Sequence, residues 1–340
     1  MSIKEKDIEQ FLSKCGWGNA TRVALSGDAS FRSYERLDMA GKKAVLMLAP
    51  PQKENTIPFI AVAEHLVTNG YSAPEIIAHN IEIGLLLLED FGDQLLNRVL
   101  KSQPEKTLQH YTQAIDLLVD IQKLSPPKTL AHSHILPTYD KALLLKEVML
   151  FAHWYLQEGL GTNSPDIAQS WASVWEPVFN GLSKPSVLTL RDYHAENIII
   201  LEDREHVNKI GLLDFQDAVI GHAAYDLVSL LEDARRDVTP AVEDKMMQYF
   251  IKAKQKQGGK IDIPTFIEEY NILGAQRNAK IIGIFTRLWK RDGKAQYLEL
   301  IPHVWRMLER NLAHPSLSPI QQWLDATVPS EQRYKPLKEG

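Results

Sequence analysis

Cysteine is almost absent from this chain, because Cys15 is the only one among 340 residues. A single cysteine excludes an internal disulfide and a metal cluster built on thiolates. We therefore expect a protein of a reducing compartment, and the cytoplasm is the default location.

Long hydrophobic runs and an excess of basic charge are also lacking. The run at residues 83–88 is far too short to span a bilayer, and residues 1–10 are charged and helical in character, unlike a secretory signal. The net charge of -5 indicates no basic surface for nucleic acid or membrane lipid. We therefore expect a small-molecule partner, and the sequence leaves the oligomeric state open.

The pattern of apolar residues predicts an α+β fold in two parts. Strands are predicted at residues 22–25, 31–37, 43–48, 75–78 and 84–88, where the pattern is typical of antiparallel strands. Beyond residue 93 the apolar positions recur at intervals of three and four, which predicts helices. We expect a small antiparallel-sheet N-lobe over residues 1–90 and a larger, mostly helical C-lobe over residues 91–340, with the site in the cleft between them.

Polar residues flank a predicted hairpin near the middle of the chain. Asp192 and Asn197 precede apolar residues 198–201, a polar turn and apolar residues 210–213, and Asp214 follows. Because the open ends of an antiparallel hairpin meet, Asn197 and Asp214 are predicted to lie together, with Asp192 on a short loop nearby. Such oxygens suit Mg²⁺ bound to phosphates, and one acid is left to orient a hydroxyl nucleophile.

The full pattern of this stretch is more specific than its parts. A lone Asp and Asn at hairpin ends would mean little, since both commonly bond to turn backbone. This stretch contains, in order, Arg-Asp, four residues, Asn, two apolar strands and Asp-Phe. Gly221 and Asp226 follow it. We interpret the stretch as a phosphoryl-transfer site, with Asp192 as the catalytic residue and Asn197 and Asp214 as metal ligands.

This stretch resembles the aminoglycoside phosphotransferase and choline kinase family, relatives of the protein kinases. The resemblance implies a two-lobed protein-kinase-like fold, ATP as co-substrate and Mg²⁺ as the metal. Leu190 stands where the family usually has His, so support for the loop backbone must come from elsewhere. We call residues 190–197 the catalytic loop, and we expect Asp226 to cap its backbone amides.

The N-terminal part contains candidates for nucleotide binding. Residues 26–30 form a small-residue turn that suits close approach to phosphates, although it is also an ordinary hairpin turn. Met47 occupies the position where a kinase has its third-strand Lys, with Glu64 on the next helix, and Arg32, Arg36 or Lys43 is the candidate replacement cation. The predicted nucleotide-binding residues are Gly27, Asp28, Ser30, Phe31, Arg32, Glu89 and Phe91. The last two lie in the hinge that the resemblance implies and would act through their backbone, although an ordinary strand-to-helix turn fits the same residues.

The helix predicted at residues 139–157 contains candidate residues for binding the phosphoryl acceptor. Glu147, Phe151 and Trp154 or Tyr155 are predicted on one helical face. A carboxylate beside aromatic rings suits a sugar, whereas spacing alone favours an aromatic core, with Glu147 paired to an arginine. The predicted partners are Arg277 and Arg287. The predicted substrate-binding residues are Glu147, Trp154, His194, Asp217 and Arg277.

Motifs along nearly the whole chain resemble one branch of the family, the anomeric N-acetylmuramate/N-acetylglucosamine kinases of bacterial cell-wall recycling. They are G-D-A-S-F-R-x-Y near the start, E-V-x-L-F-x-x-W-Y, L-L-D-F-Q-D-A before Y-D-L-V-S-L-L, and the segments Q-R-N and G-I-F-T-R-L. The resemblance implies transfer of the ATP γ-phosphate to the C1 hydroxyl of an amino sugar. It also implies tolerance of a residue other than Lys at Met47.

Two alternatives stay open at this point. The first is a kinase for another small molecule, such as an aminoglycoside. That acceptor is polycationic and needs an acidic cleft, whereas the helices offer Glu147 with Trp and Tyr. The second is a non-catalytic nucleotide-binding kinase fold, which the residues at Leu190 and Met47 motivate and the intact catalytic and metal positions oppose.

Overall fold

The computed structural model describes residues 3–25, 31–162, 164, 166–258, 261–335 and 337. Backbone proximity divides the chain into two units. Unit 1 comprises Met1–Leu117, Pro127–Leu136 and Ala195–Ala218, and unit 2 comprises Leu118–Pro126, Pro137–His194 and Val219–Gly340. Each unit draws on several parts of the chain, so the predicted lobe boundary after residue 90 stays a prediction.

The α-helices are distributed along the whole chain. Their bounds are α1 Glu5–Lys14, α2 Ile57–Thr68, α3 Leu96–Ser102, α4 Thr107–Ile121, α5 Lys141–Leu150, α6 Ile167–Val178, α7 Tyr225–Leu231, α8 Pro240–Lys256, α9 Ile263–Asp292, α10 Ile301–Leu312, α11 Ser318–Thr327 and α12 Ser330–Arg333. A π-helix at Phe151–Gly159 continues α5. Within the described ranges, we find no helix with the length and apolar character needed to cross a membrane.

Unit 1 contains an antiparallel sheet of five strands. They are β1 Thr21–Leu25, β2 Ser33–Met39, β3 Lys42–Leu48, β4 Ile76–Asn80 and β5 Leu85–Glu89, in the spatial order β1-β2-β3-β5-β4. All five predicted strands are confirmed, with their ends shifted by one or two residues. Ile8, Phe11 and Leu12 of α1 share a buried cluster with Leu46 and Leu87 of the sheet, and this packing holds α1 on unit 1.

The shorter strands lie nearer the middle of the chain. They are β6 Val187–Thr189, β7 Ile198–Ile200, β8 Ile210–Leu212 and β9 Val219–Gly221. Strands β7 and β8 form the predicted antiparallel hairpin, with Ile198 opposite Leu212, and the N–H of Leu213 donates to the carbonyl of Asn197 over 2.9 Å. The predicted hairpin is therefore confirmed. The pairing of β6 with β9 was not predicted, because strands of three residues show no readable alternation.

Helix α9 corrects one prediction, because residues 266–272 and 274–289 were expected to form separate helices. They belong to one helix of 30 residues. Gly274 lies inside it, where the side-chain amide of Asn311 leaves no room for a Cβ atom. Close packing therefore explains this glycine. The helix ends before Gly293, which has a φ of 68° in the left-handed region.

The helix predicted at residues 139–157 also differs from expectation. It changes from α to π geometry at Phe151, so Glu147 and the later aromatic residues do not share one regular α-helical face. Phe151 packs on Trp171 with ring centroids 4.9 Å apart, and both Phe151 and Tyr155 are fully buried. The core interpretation is therefore confirmed for these two rings, while Trp154 is partly exposed.

Gly283 of α9 is closely packed against the junction between α5 and the π-helix. A Cβ atom there would overlap with the backbone carbonyl group of Leu150, where α5 meets the π-helix. Helix propensity favours Ala over Gly by about 1 kcal/mol. We expect the steric overlap to outweigh this gain in helix propensity. Gly283→Ala should therefore lower the free energy of unfolding, measured in urea, by about 1–3 kcal/mol.

Gly181→Ala is the matched control. The nearest atom to its added Cβ is 3.7 Å away, an ordinary van der Waals contact. The control should leave the unfolding midpoint nearly unchanged. Equal stability of the two variants would show that the junction can relax around an added methyl group.

Candidate active site

The carboxylate of Asp226 holds the backbone of the catalytic loop in unit 2. Its two oxygens accept hydrogen bonds from the N–H groups of Leu190, over 2.7 Å, and Arg191, over 2.8 Å. The predicted capping role of Asp226 is confirmed. Leu190 itself is buried and brings no polar side chain to the loop, so Asp226 supplies support at the position where the family usually has His.

Arg191 has an unusual backbone conformation, with a φ of 72°. The left-handed region costs a residue with a Cβ atom roughly 1–2 kcal/mol. The bond to Asp226 offsets this cost at the backbone, and the guanidinium of Arg191 pairs with Glu147 and lies 5.5 Å from the ring centre of Tyr139. Arg191 is thus held at both ends immediately before Asp192.

Glu147 is surrounded by hydrogen-bond donors. Besides Arg191, the hydroxyl of Tyr139 donates to its carboxylate, and the ammonium of Lys280 lies 3.2 Å from Oε2. The prediction that Glu147 pairs with an arginine is therefore confirmed, but the arginine is Arg191 rather than Arg277 or Arg287. Arg277 instead donates to the hydroxyl of Ser229 over 2.9 Å.

Asp192 lies in a strongly charged environment. Burial alone would raise its pKa, but the positive charges around it outweigh burial and hold the pKa below its usual value. The groups responsible are Lys280, His194, Arg191 and Arg277. An acid of this kind stays ionised at neutral pH and can accept a hydrogen bond from a hydroxyl group.

His194 follows Asp192 on the same loop and is buried. Its backbone N–H donates to the carbonyl of Asp192 over 3.0 Å. Burial lowers the pKa of the His194 imidazole, while the nearby carboxylates of Asp233 and Asp192 act in the opposite direction. Burial therefore favours the neutral form of this imidazole, and His194 adds to the positive charge around Asp192 only when it is protonated.

Asn197 and Asp214 lie in unit 1, at the open end of the β7–β8 hairpin. The catalytic loop passes from unit 2 to unit 1 between His194 and Ala195. Asp214 has a φ of 56°, and its Oδ1 accepts from the amide of Gln216 over 2.9 Å. An amide oxygen and a carboxylate oxygen fit Mg²⁺, which usually takes one or two carboxylates and completes its shell with phosphates and water.

Arg32 is the candidate cation placed beside a predicted metal ligand. Its Nη2 lies 3.4 Å from Oδ1 of Asp214, within unit 1. Arg36 instead pairs with Asp90, over 2.7 Å, and with Asp93, over 2.8 Å, while Lys43 is exposed. Met47, at the usual lysine position, is fully buried. Glu64, the predicted acid of α2, lies 3.6 Å from His132.

The other nucleotide-binding predictions are placed in part. Gly27, Asp28 and Ser30 lie outside the described residues. Phe31 is 59% exposed, and its N–H donates to Glu54 over 3.2 Å.

The predicted hinge residues belong to unit 1. The N–H of Glu89 donates to the carbonyl of Glu75 over 2.9 Å, so an adenine contact would have to use the carbonyl of Glu89 or the backbone of Phe91. Arg204 pairs with the Glu89 carboxylate and lies over the Phe91 ring, 5.1 Å from its centre. Their contacts with nucleotide stay predictions.

The remaining substrate-binding predictions concern residues in different environments. Trp154 is partly exposed and Arg277 is buried, both in unit 2, whereas Asp217 is exposed in unit 1. Their contacts with an acceptor stay predictions. Sequence reasoning missed Lys280 and its neighbour Tyr225, although a single Lys within the apolar residues 279–283 was a readable signal.

Comparison with known proteins places these features in a family. Residues 21–257 match the family model described as "Phosphotransferase enzyme family". The N-acetylmuramate/N-acetylglucosamine kinase of Caulobacter vibrioides is 35% identical over 98% of this chain and 99% of its own length. The enzyme of the same name from Pseudomonas aeruginosa is 35% identical over 92% of this chain and 91% of its own. A choline kinase from Streptococcus pneumoniae superimposes with a TM-score of 0.60 at 12% identity, covering 92% of this chain and 98% of that one.

Together these features define a small-molecule kinase with a two-lobed, kinase-like α+β fold. The chain belongs to the phosphotransferase enzyme family, whose model matches more than half of its residues. The fold class, the kinase class and the family resemblance predicted above are therefore confirmed.

The burial of Asp226 predicts that the stability of the protein depends on pH. Burial raises its pKa to about 7, although the bonds from Leu190 and Arg191 oppose the shift. Asp226 therefore takes up a proton on folding between about pH 4 and pH 7, and the stability it contributes at low pH is lost as the pH rises through this window. The difference in unfolding free energy, wild type minus Asp226→Asn, should fall by about 4 kcal/mol across it, measured by urea unfolding at each pH.

Asp237→Asn is the control, because Asp237 is exposed. Its profile should follow that of the wild type. A constant difference between wild type and Asp226→Asn across this pH range would contradict the raised pKa.

Proposed function

We propose that this kinase transfers the γ-phosphate of ATP, with Mg²⁺, to the anomeric C1 hydroxyl of N-acetylmuramate or N-acetylglucosamine. The supporting observation is the extent of the similarity to the kinases named for these sugars, which covers 98% of the chain in one case. The general family model ends at residue 257, whereas this similarity continues through the later helices. Phosphorylation of one of these amino sugars is therefore the best-supported function.

Asp192 is proposed to accept the proton of the attacking sugar hydroxyl. Its lowered pKa supports this role, because the carboxylate is ionised before the substrate binds. Asn197 and Asp214 are the proposed ligands of Mg²⁺, which when bound would neutralise charge on the β- and γ-phosphates. The donor set of amide and carboxylate oxygens suits such a hard cation.

Arg32 is proposed to supply the positive charge that the third strand lacks at Met47. It lies beside Asp214, so its guanidinium is near the proposed metal ligand. The proposed phosphate loop contains Gly27, Asp28 and Ser30, next to Phe31. The backbone of Glu89 and Phe91 is proposed to contact the adenine.

The acceptor is proposed to contact Trp154, His194, Asp217 and Arg277. Trp154 and Asp217 are at least partly exposed, which suits contact with a ligand. We expect the reaction to take place in the cytoplasm, where ATP is supplied.

The substrate class is tested by ADP release from purified protein with Mg²⁺ and ATP. The acceptors are N-acetylmuramate, N-acetylglucosamine, choline and kanamycin. We expect turnover on the two amino sugars and a loss of about 10²- to 10⁴-fold in kcat for Asp192→Asn, because a positioned base contributes on this scale. Turnover on kanamycin alone, or none despite ATP binding, would support one of the alternatives instead.

Arg32→Met tests the proposed replacement cation. A hydrogen bond to a charged group contributes about 1.5–3 kcal/mol, so we expect the KM for ATP to rise about 10- to 100-fold while the KM for the sugar changes little. Lys43→Met removes an exposed charge from the same sheet and is the control. A rise in KM for ATP in the control alone would assign the role to Lys43.

A further inference from the structure

Lys280 is a buried cation in the middle of α9. Its side chain is 9% exposed, and its ammonium lies 3.2 Å from the carboxylate of Glu147 and 2.8 Å from the hydroxyl of Tyr225. Burying an ammonium group is costly unless it is paired and hydrogen-bonded. Hydrophobic packing alone would favour an apolar residue at this point of the helix, so the presence of lysine calls for an explanation.

The contacts of Lys280 lead to the catalytic loop. The Glu147 carboxylate that Lys280 contacts also binds the guanidinium of Arg191, the residue before Asp192. The backbone of Arg191 is held by Asp226. A continuous series of polar contacts within unit 2 therefore connects α9, α5 and the loop that carries the proposed base.

This cluster contains charges of both signs. Glu147 is the anion that contacts both Arg191 and Lys280. Replacing Lys280 by a neutral residue would remove one of these two cations. The charged or titratable groups facing Asp192 are Lys280, His194, Arg191, Arg277 and Asp226. Those facing Lys280 are Glu147, Tyr225, Arg191 and Asp192.

We infer that Lys280 is a positioning residue that fixes a positive charge behind the loop carrying Asp192 and, through Glu147, holds Arg191 in place. This inference rests on the proposed role of Asp192 in phosphoryl transfer. It also assigns Glu147 a structural role, in which Glu147 supports the catalytic loop through Arg191, because three donors already occupy its carboxylate. A contact between Glu147 and the sugar is not needed to explain its position.

The electrostatics of Asp192 support the inference. Burial is the largest effect on its pKa and acts upward, and Lys280 is the largest single charge that opposes it. The ammonium of Lys280 is held by two polar partners, so its charge is fixed in position rather than averaged over many rotamers. Without that charge, fewer cations oppose burial, and we expect the pKa of Asp192 to rise.

Two variants separate the charge of Lys280 from its packing. Lys280→Gln keeps side-chain N–H donors for Glu147 and Tyr225 but removes the charge, and Lys280→Arg keeps the charge. Arg333→Gln is a control for lost stability, since Arg333 is also buried and pairs with Glu309 and Asp325 in unit 2.

Two measurements are made on each full-length variant. The first is the pKa of the Asp192 carboxyl from NMR titration of ¹³C-labelled Asp, assigned by comparison with Asp192→Asn. The second is the pH profile of kcat/KM with ATP and N-acetylmuramate. For Lys280→Gln we expect the pKa and the acid limb of the profile to move upward by about one pH unit or more, on the scale of a single close charge. Lys280→Arg should restore the wild-type values, and Arg333→Gln should lose stability without moving either.

An unchanged Asp192 pKa in folded Lys280→Gln would overturn the inference, as would an equal shift in Arg333→Gln. If Lys280→Gln does not fold, the double variant Glu147→Gln/Lys280→Met removes both members of the Lys280–Glu147 ion pair, and the amide oxygen that replaces the carboxylate can still accept a hydrogen bond from Arg191. It should also show a raised Asp192 pKa, because Lys280 has the larger effect on Asp192. A wild-type value there would contradict the inference.

The carboxyl titration does not depend on turnover, so the two proposals can fail separately. An inactive wild type with a Lys280-dependent Asp192 pKa would refute the proposed substrate and retain the electrostatic role of Lys280. An active wild type with no such dependence would refute the role of Lys280 alone.

Discussion

The two hydrogen bonds from the loop backbone to Asp226 are the constraint on which the catalytic loop depends. They fix the N–H groups of Leu190 and Arg191 and hold Arg191 in a left-handed conformation. In that conformation the guanidinium of Arg191 pairs with Glu147. Arg191 directly precedes Asp192, so the backbone that carries Asp192 is held as well. A short loop with no regular secondary structure is thereby held by a side chain 35 residues away from Arg191.

The charges around this loop explain how a buried acid can remain ionised. Burial disfavours the carboxylate form of Asp192, but fixed cations on the loop and on α9 oppose burial. Those cations are themselves paired, Arg191 and Lys280 both with Glu147. The loop is therefore preorganised in charge and in backbone conformation, which suits the proposed phosphoryl transfer.

The sequence predicts the parts of this molecule that local patterns specify. The five-stranded sheet and the β7–β8 hairpin follow from runs of alternating or β-branched residues bounded by turns. The capping role of Asp226 was implied by the resemblance of this stretch to the family. The contact between Lys280 and Glu147 was not predicted, because it joins residues 133 positions apart. Likewise, the change to π geometry at Phe151 accompanies packing against Gly283, which sequence periodicity alone does not reveal.

The most direct test of the proposed chemistry is the position of the phosphate in the product formed from N-acetylmuramate labelled with ¹³C at C1. We expect the labelled carbon to show coupling to phosphorus by NMR, because the anomeric hydroxyl is the proposed nucleophile. Phosphate found on another hydroxyl, with no coupling at C1, would contradict an anomeric kinase while leaving the family and the fold unchanged.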